Sequence, residues 1–244
     1  MSVINEEDTL NYAVDSLILQ SYKSWSLIIV DDGSTDNTRK IARSYSKKYK
    51  NIHILINKRN RGLAYSLNKA IFQSKSEYIA RMDADDLALP NRLECQIKYL
   101  KEHHKVDVIG TGAEVVTADK KTIMFKPKNH ISILKNIEKV NPFFHSSVMM
   151  RRSFIEAMGG YDIKCLRAQD YDLWLRGVDS FKYHNLQKVL IVYSSKNQTL
   201  KSIYYGLRVR VLNSYRRDRL ILGSSKAILV FAYGLLIKTL RSLK

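Results

Sequence analysis

Apolar residues recur in two alternating patterns along the first hundred residues of this chain. Apolar positions three and four residues apart, such as Leu10, Val14 and Leu17, predict amphipathic helices, the first of them with Asn5 as its N-cap. Short continuous apolar runs between the helices predict strands that are buried on both faces. The predicted helices cover 6–20, 36–48, 62–73 and 90–102, and the predicted strands cover 25–30, 52–56 and 78–82. This alternation predicts an α/β fold with a mostly parallel, Rossmann-like sheet and flanking helices.

Beyond about residue 104 the elements become shorter and less regular. Short apolar runs predict strands over 106–109, 113–116, 121–125, 146–150 and 189–193, and helical patterns cover 152–158 and 170–178. The remainder is mostly helical, and no stretch rich in Pro, Gly and Ser marks a linker. We therefore predict one domain over 1–196, followed by a basic helical C-terminal extension over 197–244.

The charge of the chain concentrates at its C-terminal end. The net charge is +18, and residues 201–244 carry 10 Lys and Arg against one acidic residue, Asp218. The apolar run Ala227–Ile237 is too short to span a bilayer, which takes about 20 residues. Basic and apolar residues at helical spacing predict contact with an anionic membrane surface. The alternative is a helix that packs on the domain with its lysines exposed.

Several classes of protein are disfavoured by what the sequence lacks. Cys95 and Cys165 are far apart and form no Cys-x-x-Cys pair, which argues against a disulfide scaffold or a thiolate zinc site. Neither a Gly-x-Gly-x-x-Gly turn after a strand nor a Gly-Lys-Ser/Thr motif occurs, which argues against a dehydrogenase and a P-loop enzyme. The basic tail alone would permit nucleic-acid binding, but the acidic motifs give it no support, so we predict no nucleic-acid partner. The first 20 residues show no signal-peptide pattern, so a cytoplasmic location is expected, with peripheral attachment to the inner face of the plasma membrane.

Two acidic clusters follow two of the predicted strands. Asp31 and Asp32 come after Leu27–Val30, and Asp83, Asp85 and Asp86 come after Tyr78–Met82. In an alternating α/β fold the carboxyl ends of parallel strands lie at one edge of the sheet, where ligands bind. Concentrated negative charge in a chain of net positive charge indicates a divalent cation, and a cation at such an edge commonly carries a diphosphate.

The order of these motifs resembles that of the family 2 glycosyltransferases with the GT-A fold. Five segments carry the resemblance, which covers about residues 1–193: Asn5–Glu7, Val30–Asp36, Asn60–Ala64, Asp83–Asp86 and Ala168–Arg176. The resemblance implies an inverting transfer of a sugar from a nucleoside diphosphate donor, with UDP the favoured nucleotide. It also implies a saccharide or lipid-linked saccharide acceptor in the synthesis of a bacterial cell-surface polysaccharide. The chain lacks the Gln-x-x-Arg-Trp motif of processive synthases, which favours single additions.

The resemblance assigns donor and metal roles to the acidic clusters and the segment between them. Asp31 and Asp32 correspond to the carboxylates that recognise the base, with helix capping as the alternative. Asp83 and Asp85 correspond to the Asp-x-Asp motif, and in a strand they would share one face and hold Mn²⁺ or Mg²⁺, with Asp85 the preferred ligand. Further donor contacts are assigned to two residues before a predicted helix N-terminus, Asn60 and Arg61.

Asp170 is the candidate general base, and Asp172 is the alternative. The apolar neighbours of Asp170 would raise the pKa of its carboxyl group towards neutrality. The family usually has Glu-Asp here, whereas this chain has Gln169 followed by Asp170, so only Asp170 can titrate. His145 is a candidate contact for the diphosphate or the acceptor, although a lone histidine is more often a structural hydrogen-bonding residue. Trp174 is expected in the core, with an acceptor platform as the alternative, and Arg176 is expected at the surface or in an ion pair.

Two departures from the family pattern qualify the expected activity. The first strand of the family usually precedes Asn-Glu-Glu, but only Met1–Ile4 stands before Asn5, so we expect a short first strand and favour a start codon assigned too late. The Gln169 substitution and this short strand support a second hypothesis, a non-catalytic nucleotide-sugar-binding protein or scaffold. The leading hypothesis remains a metal-dependent glycosyltransferase.

Overall fold

The structure, a computed structural model, describes residues 1–195 and 200–218. The strands are β1 (Ser2–Val3), β2 (Leu27–Asp31), β3 (Ile52–Ile56), β4 (Tyr78–Ala80), β5 (Leu87–Ala88), β6 (Val108–Val116), β7 (Lys121–Met124), β8 (Met149–Arg151) and β9 (Tyr183–Ser194). The helices are α1 (Leu10–Ile18), α2 (Thr38–Lys48), α3 (Leu63–Gln73), α4 (Arg92–Glu102), α5 (His130–Asn136), α6 (Arg152–Ala157), α7 (Gln169–Gly177) and α8 (Leu200–Asp218), with one 3₁₀ turn at His145–Ser147.

The first half of the chain confirms the predicted α/β alternation. Strands β1, β2 and β3 form a parallel sheet in that order, with Leu27 opposite Ile52 and Asp31 opposite Ile56. Helix α1 buries its predicted apolar face in a core cluster that includes the inward side chains of this sheet. Because the strands are parallel, the carboxyl ends of β2 and β3 lie at one edge of the sheet.

The second half forms a mixed sheet in the order β4-β8-β6-β9-β5, with β7 paired to β6. The β6–β9 pairing is parallel, and the other pairings are antiparallel. The prediction of separate strands over 106–109 and 113–116 is wrong, because β6 runs unbroken through Gly110 and Gly112. These glycines permit close packing: a Cβ at Gly110 would clash with Phe143, and one at Gly112 would clash with Phe125. Strand β9 is also longer than the predicted 189–193.

An aromatic cluster forms the centre of the larger core. Trp174 on α7 is fully buried and packs edge-on against Phe143 and Tyr183, with Phe154 stacked on it. The prediction that Trp174 belongs to the core is confirmed. Because α7 is buried along most of its length, the residues at its N-terminal end are held rigidly.

The Asn5–Glu7 segment is a loop, and the predicted helix start at Glu6 is wrong. Helix α1 begins at Leu10 after Thr9, and Asn5 has a positive φ of 53°. Instead of capping α1, the Asn5 side chain accepts a hydrogen bond from the Thr35 amide at 2.9 Å. Glu7 similarly accepts one from the Asn37 amide at 2.8 Å. The two acceptors thus fasten this loop to the segment that follows Asp32, and local side-chain bonding replaces a longer helix.

Helix α8 packs on α7 through Val209 and Asn213, which are both buried. Of the predicted C-terminal extension, the structure describes only α8. The predicted domain boundary near 197 and the run Ala227–Ile237 lie outside the described residues. The expected contact with a membrane surface therefore stays a prediction. Among the described helices, none combines the length and apolar character that crossing a bilayer requires.

Candidate active site

The three aspartates after β4 converge as a group. One carboxylate oxygen from each of them lies within 4.8 Å of the corresponding oxygens of the other two. Burial alternates along the segment: Met82, Ala84 and Asp86 are buried, whereas Asp83 and Asp85 are half-buried. The sequence-predicted pair Asp83 and Asp85 therefore shares the outer face. Oxygen donors at this spacing fit Mg²⁺ or Mn²⁺, which prefer carboxylate ligands.

Arg81 and Ser146 connect this acidic group from the inside. The buried Arg81 guanidinium forms an ion pair with Asp83 and donates to the Ser146 hydroxyl at 2.8 Å. That hydroxyl lies 3.1 Å from Asp83 Oδ2 and also contacts Asp86 Oδ2. Since one hydroxyl has one proton, it donates to one carboxylate at a time. The network holds both carboxylates in place before any cation binds.

Asp86 is the most buried of the three acids, with 1% of its surface exposed. Burial, together with the nearby charge of Asp83, raises the pKa of its carboxyl group from 3.8 to about 7, against the opposing hydrogen bonds. Its Oδ1 accepts a hydrogen bond from the Ser194 amide at 2.6 Å. Asp86 thus ties the acidic segment to the end of β9, and the outer Asp83 and Asp85 are better placed as metal ligands.

Arg92 supports the acidic segment from beneath. Its fully buried guanidinium donates to the carbonyl of Arg81 at 2.7 Å and to Gln96 Oε1 at 3.1 Å. Burial lowers the pKa of Arg92 to about 9, against the opposing charge of Asp86. This residue therefore stays charged at neutral pH and fixes the backbone from which Asp83 projects.

Asp31 and Asp32 lie at the end of β2, as predicted, and both are buried. Asp31 accepts hydrogen bonds from the Ser34 amide at 3.0 Å and from Arg39 Nε at 2.5 Å. The Asp32 oxygens accept the amide protons of Arg61 and Gly62, each at 2.9 Å. In this structure the two carboxylates therefore hold the loops on either side of the β2 edge, and a contact with a base stays a prediction.

Asn60 and Arg61 lie on the exposed loop that Asp32 fixes. The Asn60 side chain accepts a hydrogen bond from the Gly62 amide at 2.9 Å. The Arg61 guanidinium stacks over the Tyr65 ring at 4.4 Å from its centroid, a cation–π contact. Gly62 has a φ of 90°, a value that few other residues adopt readily. Arg61 therefore places a positive charge on the loop that Asp32 fixes, and its contact with a donor phosphate stays a prediction.

Asp170 lies in the first turn of α7, after Ala168 in the left-handed conformation. Burial raises the pKa of its carboxyl group, whereas hydrogen bonding from Asn141 and the positive charge of Arg81 act in the opposite direction. The Asn141 amide donates to Asp170 Oδ2 at 2.6 Å. Asn141 thus fixes one oxygen of the carboxyl group. A carboxyl group that is held in place and has a raised pKa suits a general base.

The alternative base, Asp172, has a different environment. Its Oδ2 lies 2.7 Å from Arg176 Nε and its Oδ1 accepts a hydrogen bond from Asn213 at 3.2 Å. Asp172 therefore joins α7 to α8, which favours Asp170 as the base. The expectation that Arg176 forms an ion pair is confirmed.

His145 is buried in the 3₁₀ turn next to Ser146. Its Nε2 lies 2.9 Å from the Tyr161 hydroxyl, and its ring packs edge-on against the Tyr161 and Trp174 rings. Burial, helped by the charge of Arg81, lowers the pKa of His145 well below 6.5. The imidazole is therefore neutral at pH 7, and its contacts favour the structural role over contact with a diphosphate.

Two tyrosines lie within electrostatic range of both the candidate metal group and the candidate base. Burial is the main cause of the raised pKa of Tyr193, and the charges of Asp86, Asp170 and Asp83 add to it. Tyr161 likewise feels Arg81, Asp170 and Asp83. The carboxylates after β4 and the carboxylate at the start of α7 thus lie within electrostatic range of the same two hydroxyl groups.

Comparison of the sequence with known families identifies the family of this chain. The family model described as glycosyl transferase family 2 matches residues 1–159. The chain belongs to glycosyltransferase family 2. This glycosyltransferase is 38% identical over 198 residues to the putative glycosyltransferase EpsE of Bacillus subtilis, covering 78% of this chain and 69% of that protein. It is 29% identical over 246 residues to the O-antigen biosynthesis glycosyltransferase WbnJ of Escherichia coli, covering 97% and 95% of the two chains.

Solved structures show that this glycosyltransferase has the GT-A fold. Staphylococcus aureus TarS in complex with UDP-GlcNAc aligns with a TM-score of 0.71 at 19% identity, over 93% of this chain and 67% of that chain. The Pyrobaculum calidifontis mannosyltransferase PcManGT, in complex with GDP-Man and Mn²⁺, aligns with a TM-score of 0.60 at 15% identity, over 96% and 78% of the two chains. The predicted fold class is confirmed.

Four residues of the site were not singled out from the sequence: Arg81, Ser146, Arg92 and Asn141. Ser146 acts on Asp83 and Asn141 on Asp170, and these partners are 63 and 29 residues apart along the chain. Sequence spacing carries no signal for such contacts. Arg81 alone stood beside a recognised motif, two residues before Asp83.

Proposed function

We propose that this glycosyltransferase is an inverting, metal-dependent enzyme that moves a sugar from a UDP-sugar to a hydroxyl group of a saccharide or lipid-linked saccharide. The observation that carries the proposal is that the acids after β4 and the half-buried Asp170 lie within electrostatic range of the same tyrosine hydroxyl, that of Tyr193. Transfer from a nucleotide sugar needs a cation at the diphosphate and a base at the acceptor. The site offers a residue for each requirement.

Asp83 and Asp85 would hold Mn²⁺ or Mg²⁺, with Asp86 behind them. When bound, the cation neutralises the diphosphate and makes it a better leaving group. The side chains contribute orientation: Arg81 and Ser146 hold Asp83, and the Ser194 amide holds Asp86. The family resemblance and the Mn²⁺ in PcManGT support this assignment.

The donor nucleotide would lie along the carboxyl edge of the parallel sheet. Asp31 and Asp32 line this edge, and Asp32 fixes the backbone of Arg61 and Gly62. To contact the nucleotide base, a carboxylate oxygen must accept one more hydrogen bond. Each carboxylate oxygen has two lone pairs, so an oxygen that accepts one bond within the protein can accept a second from the base. Asn60 and Arg61 then face the ribose and the phosphates as the polar residues of the adjoining loop.

Asp170 would take the proton from the acceptor hydroxyl as that oxygen attacks the anomeric carbon from the face opposite the leaving diphosphate. The pKa of Asp170, raised by burial, brings its basicity closer to neutral pH, and the hydrogen bond from Asn141 to Oδ2 orients its carboxylate. Attack from the opposite face inverts the anomeric configuration. The O-antigen context of WbnJ supports an acceptor in cell-surface polysaccharide assembly.

The decisive experiment measures sugar transfer and donor binding separately. A panel of UDP-sugars is screened for thermal stabilisation with and without Mn²⁺, since a ligand that binds the folded state raises its melting temperature. Asp85→Asn should lose the Mn²⁺-dependent stabilisation. Asp170→Asn should keep it and lose transfer by about 10²- to 10⁴-fold. Asp119→Asn, at an exposed position, is the matched control.

Two results would change the conclusion. Transfer that survives Asp170→Asn rejects Asp170 as the base. Mn²⁺-dependent donor binding without transfer or hydrolysis of any donor, in the presence of saccharide acceptors, favours the non-catalytic binding protein, which Gln169 supports.

A further inference from the structure

Lys126 is a half-buried cation that has no role among the residues assigned so far. Its ammonium lies over the Phe144 ring, 4.8 Å from the ring centroid, which is a cation–π contact. The Tyr193 ring packs on the same Phe144, with the two centroids 5.3 Å apart. Phe144 is buried and directly precedes the 3₁₀ turn at His145–Ser147. Lys126 and Tyr193 thus share one buried ring as their support.

The surroundings of Lys126 leave its charge incompletely balanced. Burial lowers the pKa of its ammonium group, and the charge of Asp170 acts in the opposite direction without cancelling this effect. Within the part of the chain that the structure describes, the ammonium forms no hydrogen bond or ion pair and lies on the Phe144 ring instead. Charges that are withdrawn from water are usually paired, so this cation can accept an anion from outside the protein.

The partner of Lys126 in this balance places it on the acceptor side of the proposed reaction. Among the described carboxylates, Asp170 is the one whose charge acts on the pKa of Lys126, and neither Asp83 nor Asp85 contributes. Electrostatic interactions weaken with distance, so Lys126 is nearer to the candidate base than to the candidate metal ligands. Arg81 already supplies a cation to Asp83. The anion that fits Lys126 is therefore expected on the acceptor and not on the donor.

Pacping of the chain on both sides of Lys126 fixes its backbone. The preceding Phe125 packs so closely against Gly112 in β6 that a Cβ there would clash with its ring. The following Pro127 is held by Asn185 in β9, whose side chain donates to its carbonyl at 2.8 Å. Lys126 therefore projects from a segment that is anchored to two strands of the mixed sheet, and its position is preorganised for binding.

Tyr193 adds a hydrogen-bonding group beside this cation. Burial raises the pKa of its hydroxyl group above the usual value of 10, and the charges of Asp86 and Asp170 add to the effect. The hydroxyl group is therefore protonated at neutral pH and can donate a hydrogen bond. Within the described residues it makes no hydrogen bond, so it too is available to a ligand.

Building on the proposed function, we infer that Lys126 and Tyr193 form an acceptor subsite on the Phe144 ring for a saccharide that carries a phosphate or carboxylate group. The ammonium would bind the anionic group through a charge-assisted hydrogen bond, and the Tyr193 hydroxyl would donate to a sugar oxygen. Asp170 would then meet a hydroxyl group near this anion. The subsite selects acidic sugars, or saccharides linked through a phosphate, over neutral ones.

The test compares anionic and neutral forms of one sugar. Glucose 1-phosphate, glucuronic acid and glucose are each titrated by NMR into protein that carries UDP and Mg²⁺ at the donor site. Thermal stabilisation by UDP and Mg²⁺ is measured first and tests the donor site by itself. Lys126→Met removes the charge and Lys126→Arg keeps it. Lys120→Met, at an exposed lysine in the turn between β6 and β7, is the matched control.

The wild-type protein should bind at least one of the anionic sugars about 10-fold or more tightly than glucose. Lys126→Met should abolish this preference, Lys126→Arg should keep most of it, and Lys120→Met should leave it unchanged. The preferred sugar identifies the group as a phosphate or a carboxylate. Equal affinity of the wild-type protein for all three sugars would overturn the proposal, and so would a preference that survives Lys126→Met.

The ring signals of Phe144 in the wild-type protein provide a second measurement. They should shift when the preferred anionic sugar binds, whereas binding without such a shift lies elsewhere and also overturns the proposal. This readout needs no variant, so it decides the matter even if Lys126→Met does not fold. Failure of UDP and Mg²⁺ to stabilise the protein would reject the proposed donor site, and the titrations without UDP would still test Lys126.

Discussion

Asp86 should make the stability of the metal-free protein depend on pH. Its folded-state pKa is about 7, whereas an unfolded Asp titrates near 3.8. Because the folded state binds this proton more tightly, the group contributes stability that is complete below pH 4 and is lost as the pH rises through 7. For a pKa shift of this size, the contribution of Asp86 to the free energy of unfolding falls by about 2–3 kcal/mol between pH 5 and pH 8.

Asp86→Asn isolates this contribution, because the amide keeps the shape of the side chain and does not titrate. Its oxygen can still accept the Ser194 amide, and its NH₂ group can donate to the Ser146 hydroxyl. Between pH 5 and pH 8, we expect the free energy of unfolding to fall by about 2–3 kcal/mol less in the variant than in the wild-type protein. Titrating groups that do not feel the charge of Asp86 act equally in both proteins and cancel in the difference, and Arg92, which does feel it, has a pKa of about 9, above this pH range.

The measurement is urea-induced unfolding at pH 5, 6, 7 and 8 in the presence of EDTA, followed by tryptophan fluorescence. Asp119→Asn, at an exposed position, is the control and should follow the wild-type curve. Parallel pH dependences in wild-type and Asp86→Asn protein would show that Asp86 is ionised across this range. The reasoning about its burial would then be refuted.

Three further changes test the site and its supports. Asn141→Ala removes a hydrogen bond that favours the ionised form of Asp170, so the acidic limb of the transfer rate should move to higher pH; an unchanged pH profile would reject Asn141 as a positioning residue. Arg92→Met leaves the buried carbonyl acceptor of Arg81 without its donor and should lower the free energy of unfolding by about 2–4 kcal/mol in chemical denaturation. Gly33→Ala places a Cβ 2.8 Å from the backbone around Asn60 at a φ of 86°, so it should destabilise the protein by about 1–3 kcal/mol and weaken donor binding in calorimetry; donor affinity equal to wild type would separate this turn from the nucleotide site.

The sequence predicts the elements whose boundaries depend on local chemistry. Strand β3 has the bounds Ile52–Ile56 that its apolar run indicates, because polar residues stand on both sides. The helices α2, α3 and α4 begin within two residues of their predicted starts for the same reason. Strand β6 is the counterexample, since Gly110 and Gly112 indicate a break by propensity. Their real function is to admit aromatic rings, and those come from distant parts of the chain.

In the candidate site, too, the sequence predicts the features that depend on neighbouring residues and does not predict those that depend on distant ones. The acidic clusters are visible in the sequence because each follows an apolar strand, and the alternation of Asp83 and Asp85 predicts a shared face. What the sequence does not reveal is how the protein itself uses these carboxylates. Asp32 binds backbone amides 29 and 30 residues away, and Asp86 binds the Ser194 amide 108 residues away. Such pairings follow from the packing of the whole chain.

The two arginines beneath the acidic segment have a consequence for the catalytic cycle proposed above. Without a bound cation, the acids after β4 would repel one another as they ionise. Arg81 remains paired with Asp83, and Arg92 continues to hold the backbone. The acidic segment would therefore keep its shape without the cation, and a donor would meet a preorganised surface.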